Sequence, residues 1–335
     1  MKKIVINGFG RIGRLAFREL IGSKEYVVVG VNGHGTSEEM AYLLKYDSAQ
    51  GGFEEDSIGF TEEGIIFEDR LIKTFKYDDP EMCPWKELEV DCVLECTGKF
   101  TKLEDAMKHI KAGAKHVVIS APGKGDMKTV VFGVNDNTLT GKEEVISAAS
   151  CTTNCLTPVL RIIEHYFGIT SGYMTTIHAL TNDQNVLDGS HKKGISSRRG
   201  RAAVNNIIPT STGAASAVGK VIPSLEGKLD GVAFRVPVVD GSCVDLTLNL
   251  NKEVSIETLN AAFKANANVI LKYTEDPVVS SDIIGNRCGA LVDGSATKVL
   301  DCDNHVVKVV AWYDNELGYT CQMLRTMIKL LKLDN

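Results

Sequence analysis

The hexapeptide Gly8-Phe9-Gly10-Arg11-Ile12-Gly13 follows a short β-branched run, Lys3–Asn7, and opens a helical pattern, Arg11–Ser23. No other feature restricts the fold as tightly. Glycines at this spacing between a strand and a helix allow a tight turn at Gly8. They let a pyrophosphate approach the backbone at Gly10 and let the helix pack closely at Gly13. Phe9, Arg11 and Ile12 complete the expected cofactor-binding turn, with its anion at the helix N-terminus. A second β run, Tyr26–Asn32, and a helical stretch, Glu38–Lys45, come next. Gly64–Phe67 and Ile72–Phe75 read as a hairpin, Asp91–Cys96 as a buried strand, Leu103–Ala112 as a helix and His116–Ser120 as a strand. Strands alternating with crossover helices predict a doubly wound, parallel (Rossmann) sheet in an α/β chain.

The second half has a different pattern. Gly172–Ala179, Gly231–Val239, Cys243–Leu250 and Val306–Tyr313 alternate like strands, and Leu156–Phe167, Ala214–Ile222 and Ile256–Asn266 are helical. This predicts an α+β domain with a mostly antiparallel mixed sheet. The expected boundary makes residues 1–150 a dinucleotide-binding domain and 151–316 a catalytic domain, with a C-terminal helix (317–335) packing back on the first. Leu187–Ala202 is polar, glycine-bearing and basic, as a surface loop would be. A net charge of −6 argues against a general nucleic-acid binder, so an anionic ligand needs local positive charge. No segment approaches the ~18 apolar residues of a membrane span. The nine cysteines are odd in number, sit mostly in apolar runs and show no paired metal spacing. With an N-terminal apolar stretch too short for a signal sequence, they imply a reducing, cytoplasmic location and no metal.

Cys151 lies between the apolar run Glu144–Ser147 and the helical pattern from Leu156. A thiol at a strand end and a helix N-terminus is placed where N–H groups and the helix dipole favour thiolate. The hydroxyls of Ser150, Thr152 and Thr153 could bind an anion beside it. Taken alone, the segment also reads as a buried structural cysteine before a capped helix, because free cysteine is often inert core.

The fingerprint, Ser150-Cys151-Thr152-Thr153-Asn154-Cys155, Thr210-Ser211-Thr212-Gly213-Ala214-Ala215 and Trp312-Tyr313-Asp314-Asn315-Glu316-Leu317-Gly318-Tyr319 occur in this order. Together they resemble phosphorylating glyceraldehyde-3-phosphate dehydrogenase over essentially the whole chain. The resemblance implies that Cys151 is the nucleophile and His178 its base, an imidazolium beside the sulfur lowering the thiol pKa. It implies a substrate-phosphate site from Thr181, Asp183 and Arg235, and an attacking-phosphate site from Ser150, Thr152, Thr212, Gly213 and Arg198. Arg199 and Arg201 adjoin the last of these. Asn315 resembles the residue that bonds the nicotinamide carboxamide, and Tyr319 closes the same motif. Thr97, Gly98 and Ser120 lie at parallel strand ends, where cofactors bind. The implied partners are glyceraldehyde 3-phosphate and inorganic phosphate, in a homotetramer.

Two positions bear on the choice between NAD and NADP. Gly33, after Asn32 at the end of the second strand, stands where a carboxylate would pair with a ribose 2′-hydroxyl and repel a 2′-phosphate. Ser190 stands where NAD-specific members of the family usually have proline. His34, Thr36 and Ser37 could donate to a phosphate, Glu38 and Glu39 would oppose it, and Asp78 holds a place often taken by arginine. No obvious cation awaits a phosphate, so use of both dinucleotides is expected. The competing functions are an erythrose-4-phosphate dehydrogenase of the same fold and a secondary binding role at a surface.

Overall fold

The computed structural model describes every residue except Lys193, Ile195 and Asn335. Its backbone contacts divide the chain into two units. The first comprises Met1–Phe132, Asp136–Ala149 and the last helix from Met323; the second comprises Gly133–Asn135 and Ser150–Gln322.

The first unit contains β1 (Lys2–Asn7), α1 (Arg11–Leu20), β2 (Tyr26–Asn32), α2 (Ser37–Lys45), β3 (Ile58–Thr61), β4 (Gly64–Phe67), β5 (Arg70–Phe75), α3 (Trp85–Leu88), β6 (Cys92–Glu95), α4 (Leu103–Lys111), β7 (His116–Ile119), β8 (Lys128–Thr129) and β9 (Val145–Ser147). They build a nine-stranded sheet in the order β3-β4-β5-β2-β1-β6-β7-β9-β8. The sheet is parallel except where β3, β4 and β5 pair antiparallel. The order reverses about β1, with β2 on one side and β6 on the other, and ligands of doubly wound sheets bind at such a switch point. The central strands read as continuous apolar runs because both faces are covered; Val5, Val93, Val117 and Ile119 are wholly buried. Sequence reasoning missed β3, whose last two residues are exposed, and β8, which is two residues long.

In the second unit α5 (Cys151–Tyr166), β10 (Ile169–His178), β11 (Ile208–Ser211), α6 (Ala214–Val221), β12 (Leu229–Arg235), β13 (Ser242–Leu250), α7 (Ile256–Ala265), β14 (Leu271–Thr274), β15 (Ala290–Leu300), β16 (Asp303–Tyr313) and the start of α8 (Leu317–Leu333) follow. The seven-stranded sheet runs β11-β12-β10-β13-β16-β15-β14 and is mixed. Its alternating strands put Met174, Val244, Leu246, Val307 and Val309 into one core with Leu156, Val159, Val218 and Phe263 of the helices.

Two of the boundaries that differ from expectation bear on the site. α5 begins at Cys151, five residues before the apolar period at Leu156, because Ser150 caps it: Thr153 N donates to Ser150 Oγ at 3.1 Å. Thr152, Thr153 and Asn154 are buried polar residues, so they hide the start of the helix from a hydrophobicity reading. β12 ends at Arg235 instead of continuing to Val239, since Pro237 cannot donate to a ladder.

Candidate active site

In the first unit, a cavity of about 830 Å³ opens over the C-terminal ends of β1 and β2, bounded by Gly8, Phe9, Gly10, Asn32, Gly33 and Thr97 among others. Gly8 has φ +99°, and a Cβ there would lie 2.6 Å from Thr97 N. A Cβ on Gly13 would lie 2.1 Å from Gly8 O, so α1 sits directly under the turn. A Cβ at Gly10 would meet nothing within 4 Å, which leaves its backbone open to a ligand. These are the three roles that a dinucleotide turn demands, and the residues present fit the cofactor.

The floor of the cavity is a buried hydrogen-bonded chain. Glu95 accepts from Asn7 Nδ2, Thr97 N and Thr97 Oγ1, and lies 3.1 Å from His109 Nε2. Trp85 Nε1 donates to His109 Nδ1 at 3.0 Å, so His109 is the neutral tautomer with its proton on Nε2, directed at Glu95. Asn32 Nδ2 donates to Asn7 Oδ1 at 2.7 Å. A buried carboxylate with this many donors is stable and rigid. Sequence reasoning named Asn32 and Thr97 but missed Glu95 and His109, whose signal was only a charged residue inside an apolar run.

Several expected groups are committed elsewhere. The Arg11 guanidinium pairs with the buried Asp47, so only its backbone faces the turn. Thr36 Oγ1 accepts from Glu39 N in a capping box, which leaves its proton to donate, and Ser37 Oγ is engaged with Thr74 Oγ1 at 2.7 Å. A cation does stand at this cavity, contrary to the sequence reading. Lys99 Nζ lies 3.5 Å from His34 Nε2. Gly98, at φ +68°, precedes it, and Ser120 directly follows β7.

In the second unit, Cys151 Sγ lies 3.3 Å from His178 Nε2. His178 is the last residue of β10, and the parallel ladder sets it opposite Arg235, the last residue of β12. Arg235 Nη1 spends its two protons on Ala179 O (2.9 Å) and Thr181 Oγ1 (2.8 Å). His178 Nδ1 lies 2.7 Å from Ala179 O, a distance that requires the proton on Nδ1. Nε2 is therefore assigned the lone pair and faces the sulfur, the arrangement of a base.

Burial pushes the Cys151 thiol up, against the pull of Arg235 and of the Thr152 and Cys151 N–H groups on the sulfur. Burial and the neighbouring Arg235 hold His178 well below the ordinary imidazole value. Both shifts favour the uncharged pair over the expected imidazolium beside a thiolate. Proton transfer from Sγ to Nε2 makes both charges at once, each compensating the other. Cys155, one helical turn away, has no such partner, and burial pushes its thiol far up.

Thr181 Oγ1 donates to Asp183, which also pairs with Arg199; these bonds hold Asp183 low although burial opposes them. Arg199 Nε also donates to Thr210 Oγ1. Arg198 is exposed, and the structure does not bring it to this group; its neighbour Arg199 is the inward one. The choice between adjacent arginines turns on backbone direction, which spacing does not encode. Arg235 Nε and Gln184 Nε2 are buried without a partner, two orphaned donors of the kind an anion satisfies.

The other expected residues are placed as follows. Ser150 is the cap of α5, Thr153 is wholly buried, and Thr152 Oγ1 bonds the Tyr313 hydroxyl at 2.9 Å. Thr212 Oγ1 accepts from Ala214 N, and Gly213 caps α6. Asn315 Oδ1 accepts from Ser242 Oγ at 2.6 Å. Tyr319 is buried in the first turn of α8, and Ser190 is exposed on its loop. Tyr313, unassigned from sequence, bridges Thr152 and Thr176 and meets His178 edge-on with ring centres 5.9 Å apart. Beside Asn315, Asp314 accepts from Gly285, Glu316 and Leu317 N–H groups. Burial and the Asp314 charge push neighbouring Asp240 up to about 9, so Asp240 stays protonated and bonds Asp314.

A doubly wound sheet with a dinucleotide turn and a cysteine–histidine pair flanked by a phosphate-competent arginine define a dinucleotide-dependent oxidoreductase that works through a thiol. Residues 2–103 match the family model for the glyceraldehyde 3-phosphate dehydrogenase NAD binding domain, and 150–315 match that for its C-terminal domain. The chain is 52% identical over 334 residues to glyceraldehyde-3-phosphate dehydrogenase of Clostridium acetobutylicum, covering 99% of both. It is 51% identical to that of Streptococcus pyogenes serotype M1, covering 99% of this chain and 98% of the relative. The chain belongs to the glyceraldehyde-3-phosphate dehydrogenase family.

Proposed function

We propose that this chain oxidises glyceraldehyde 3-phosphate to 1,3-bisphosphoglycerate in glycolysis, taking up inorganic phosphate and reducing NAD or NADP. The single observation that carries the chemistry is Cys151 Sγ, 3.3 Å from a His178 lone pair and beside Arg235. His178 takes the thiol proton as sulfur adds to the aldehyde carbon, then gives it to the oxyanion, which leaves a hemithioacetal and a neutral imidazole. His178 then accepts the hemithioacetal hydroxyl proton as the C–H hydride departs, leaving a thioester. Bound dinucleotide supplies the oxidised ring that takes the hydride. A phosphate oxygen attacks the thioester carbonyl, the C–S bond breaks, and His178 returns its proton to sulfur.

In this reading Arg235 holds the substrate phosphate through its orphaned Nε, and Thr181 and Asp183 position its guanidinium. Arg199, with the helix starts at Ser150–Thr152 and Thr212–Gly213, serves the attacking phosphate, replacing Arg198. Asn315 and Tyr319 orient the nicotinamide. Residues 1–150 then form the cofactor domain and 151–316 the catalytic domain. A homotetramer and a cytoplasmic location belong to the same reading. Among the described residues no helix is long and apolar enough to cross a membrane.

The test is a rate matrix of glyceraldehyde 3-phosphate and erythrose 4-phosphate, with each dinucleotide, with and without phosphate or arsenate. Phosphate-dependent reduction with the triose is expected. Faster, phosphate-independent turnover of the tetrose would reassign the chain to the erythrose-4-phosphate enzyme. Near-normal turnover by Cys151→Ser would sink the covalent route.

A further inference from the structure

We propose that Lys99, with His34 beside it, is the receptor for a ribose 2′-phosphate in the cavity of the first unit. This deepens the proposed function and rests on it only for the choice of dinucleotide. Gly33 follows the last residue of β2 and has no side chain, so no carboxylate stands at this position to repel a 2′-phosphate. A Cβ there would meet Met40 Cε at 3.0 Å and Phe9 Cβ at 3.6 Å, so this wall is bare backbone over apolar packing.

The positive charge comes from a different element. Lys99 follows Gly98 after β6, and its Nζ reaches to 3.5 Å from His34 Nε2, directly after Gly33. Lys99, His34 and Gly33 bound the same cavity. An ammonium offers three donors, and the imidazole beside it adds one N–H when neutral and two when protonated. Both side chains are exposed and belong to the cavity wall, so a phosphate can reach them.

Acidic groups set the limit. Asp78 Oδ1 lies 3.8 Å from His34 Nε2, and Glu38 and Glu39 open α2. The Glu39 carboxylate accepts from Thr36 N at 2.8 Å and keeps its charge, so Asp78, Glu38 and Glu39 are the opposing charges on this cavity. Exposed pairs are individually weak. The site therefore tolerates a 2′-phosphate without demanding one, and each charge shifts the balance by about tenfold or less.

Calorimetric titration of the full chain with AMP and with adenosine 2′,5′-bisphosphate tests this. The wild type is expected to bind both within about tenfold of each other. Lys99→Ala should weaken the bisphosphate about tenfold relative to AMP, and Asp78→Asn should move the ratio the opposite way. A ratio unmoved by Lys99→Ala, or a wild type that binds AMP and rejects the bisphosphate, overturns the assignment. The readout needs no turnover. Failure of the aldehyde oxidation would count against the proposed function and leave this result standing.

Discussion

His178 must accept a proton from a site where burial and Arg235 disfavour its charge. It can do so because the proton arrives from a sulfur 3.3 Å away and leaves an anion behind. Removing the base should therefore cost the thiol its reactivity as well as the turnover. His178→Asn is expected to slow alkylation of Cys151 by a neutral reagent by about 10²-fold or more, the usual worth of a positioned base. Mass spectrometry of the modified peptide checks it; an unchanged rate would mean that the helix start alone activates the sulfur. Arg235→Leu should raise KM for glyceraldehyde 3-phosphate far more than for unphosphorylated glyceraldehyde. Loss of a charge-assisted contact is worth ~1.5–3 kcal/mol, roughly tenfold to a hundredfold. Equal effects on both aldehydes would remove Arg235 from the phosphate site. At this scale the sequence was informative: Cys151 and His178 were legible by resemblance, and the structure brings them together. Arg199 was not separable from Arg198, because which guanidinium turns inward depends on the short helical turn Arg198–Gly200.

Among the elements, α5 has the most to do with the chemistry, and its start was the boundary read least well. Ser150 ends the extended segment and caps the helix, so the thiol falls at the first helical position. Ala149, just before it, is held at φ +58°, an uncommon conformation for a residue with a Cβ. Ser150→Ala is expected to lower unfolding stability by ~1 kcal/mol, as loss of a cap does, measured by urea denaturation. It should also slow the phosphate-dependent step, because the same cap holds the N–H groups at the sulfur. A variant that is destabilised yet keeps a full phosphorolysis rate would limit Ser150 to capping. Long strands such as β10 and β13 were legible from their alternation. β3, β8 and the four-residue β14 were not, and β15 escaped because polar residues such as Asp293 and Thr297 are buried inside the run.

For the molecule as a whole, the buried acid pair beside Asn315 links stability to pH. Asp240 is raised on folding from an ordinary 3.8 to about 9. The folded chain thus holds a proton that the unfolded chain has released. Stability from this site is complete below the unfolded value, declines as pH rises, and stops declining once Asp240 ionises near 9. Asp240→Asn keeps a donor for Asp314 without the proton. It should therefore lose less stability than the wild type between mildly acidic and mildly alkaline pH, followed by urea unfolding. Parallel slopes for the two proteins would mean that Asp240 is ionised in the fold. Nothing in the sequence marked this pair, since Asp240 and Asp314 are far apart in the chain and meet only when β13 and β16 align.

The parallel ladder between β10 and β12 sets His178 opposite Arg235. The separation of base and cation is thus measured in sheet hydrogen bonds, not in chain length. The intervening segment, with its basic loop, can gain or lose residues without moving either group. A single insertion within either strand would turn one of them to the opposite face. Evolution can therefore revise the loop for new partners while the chemistry stays in register.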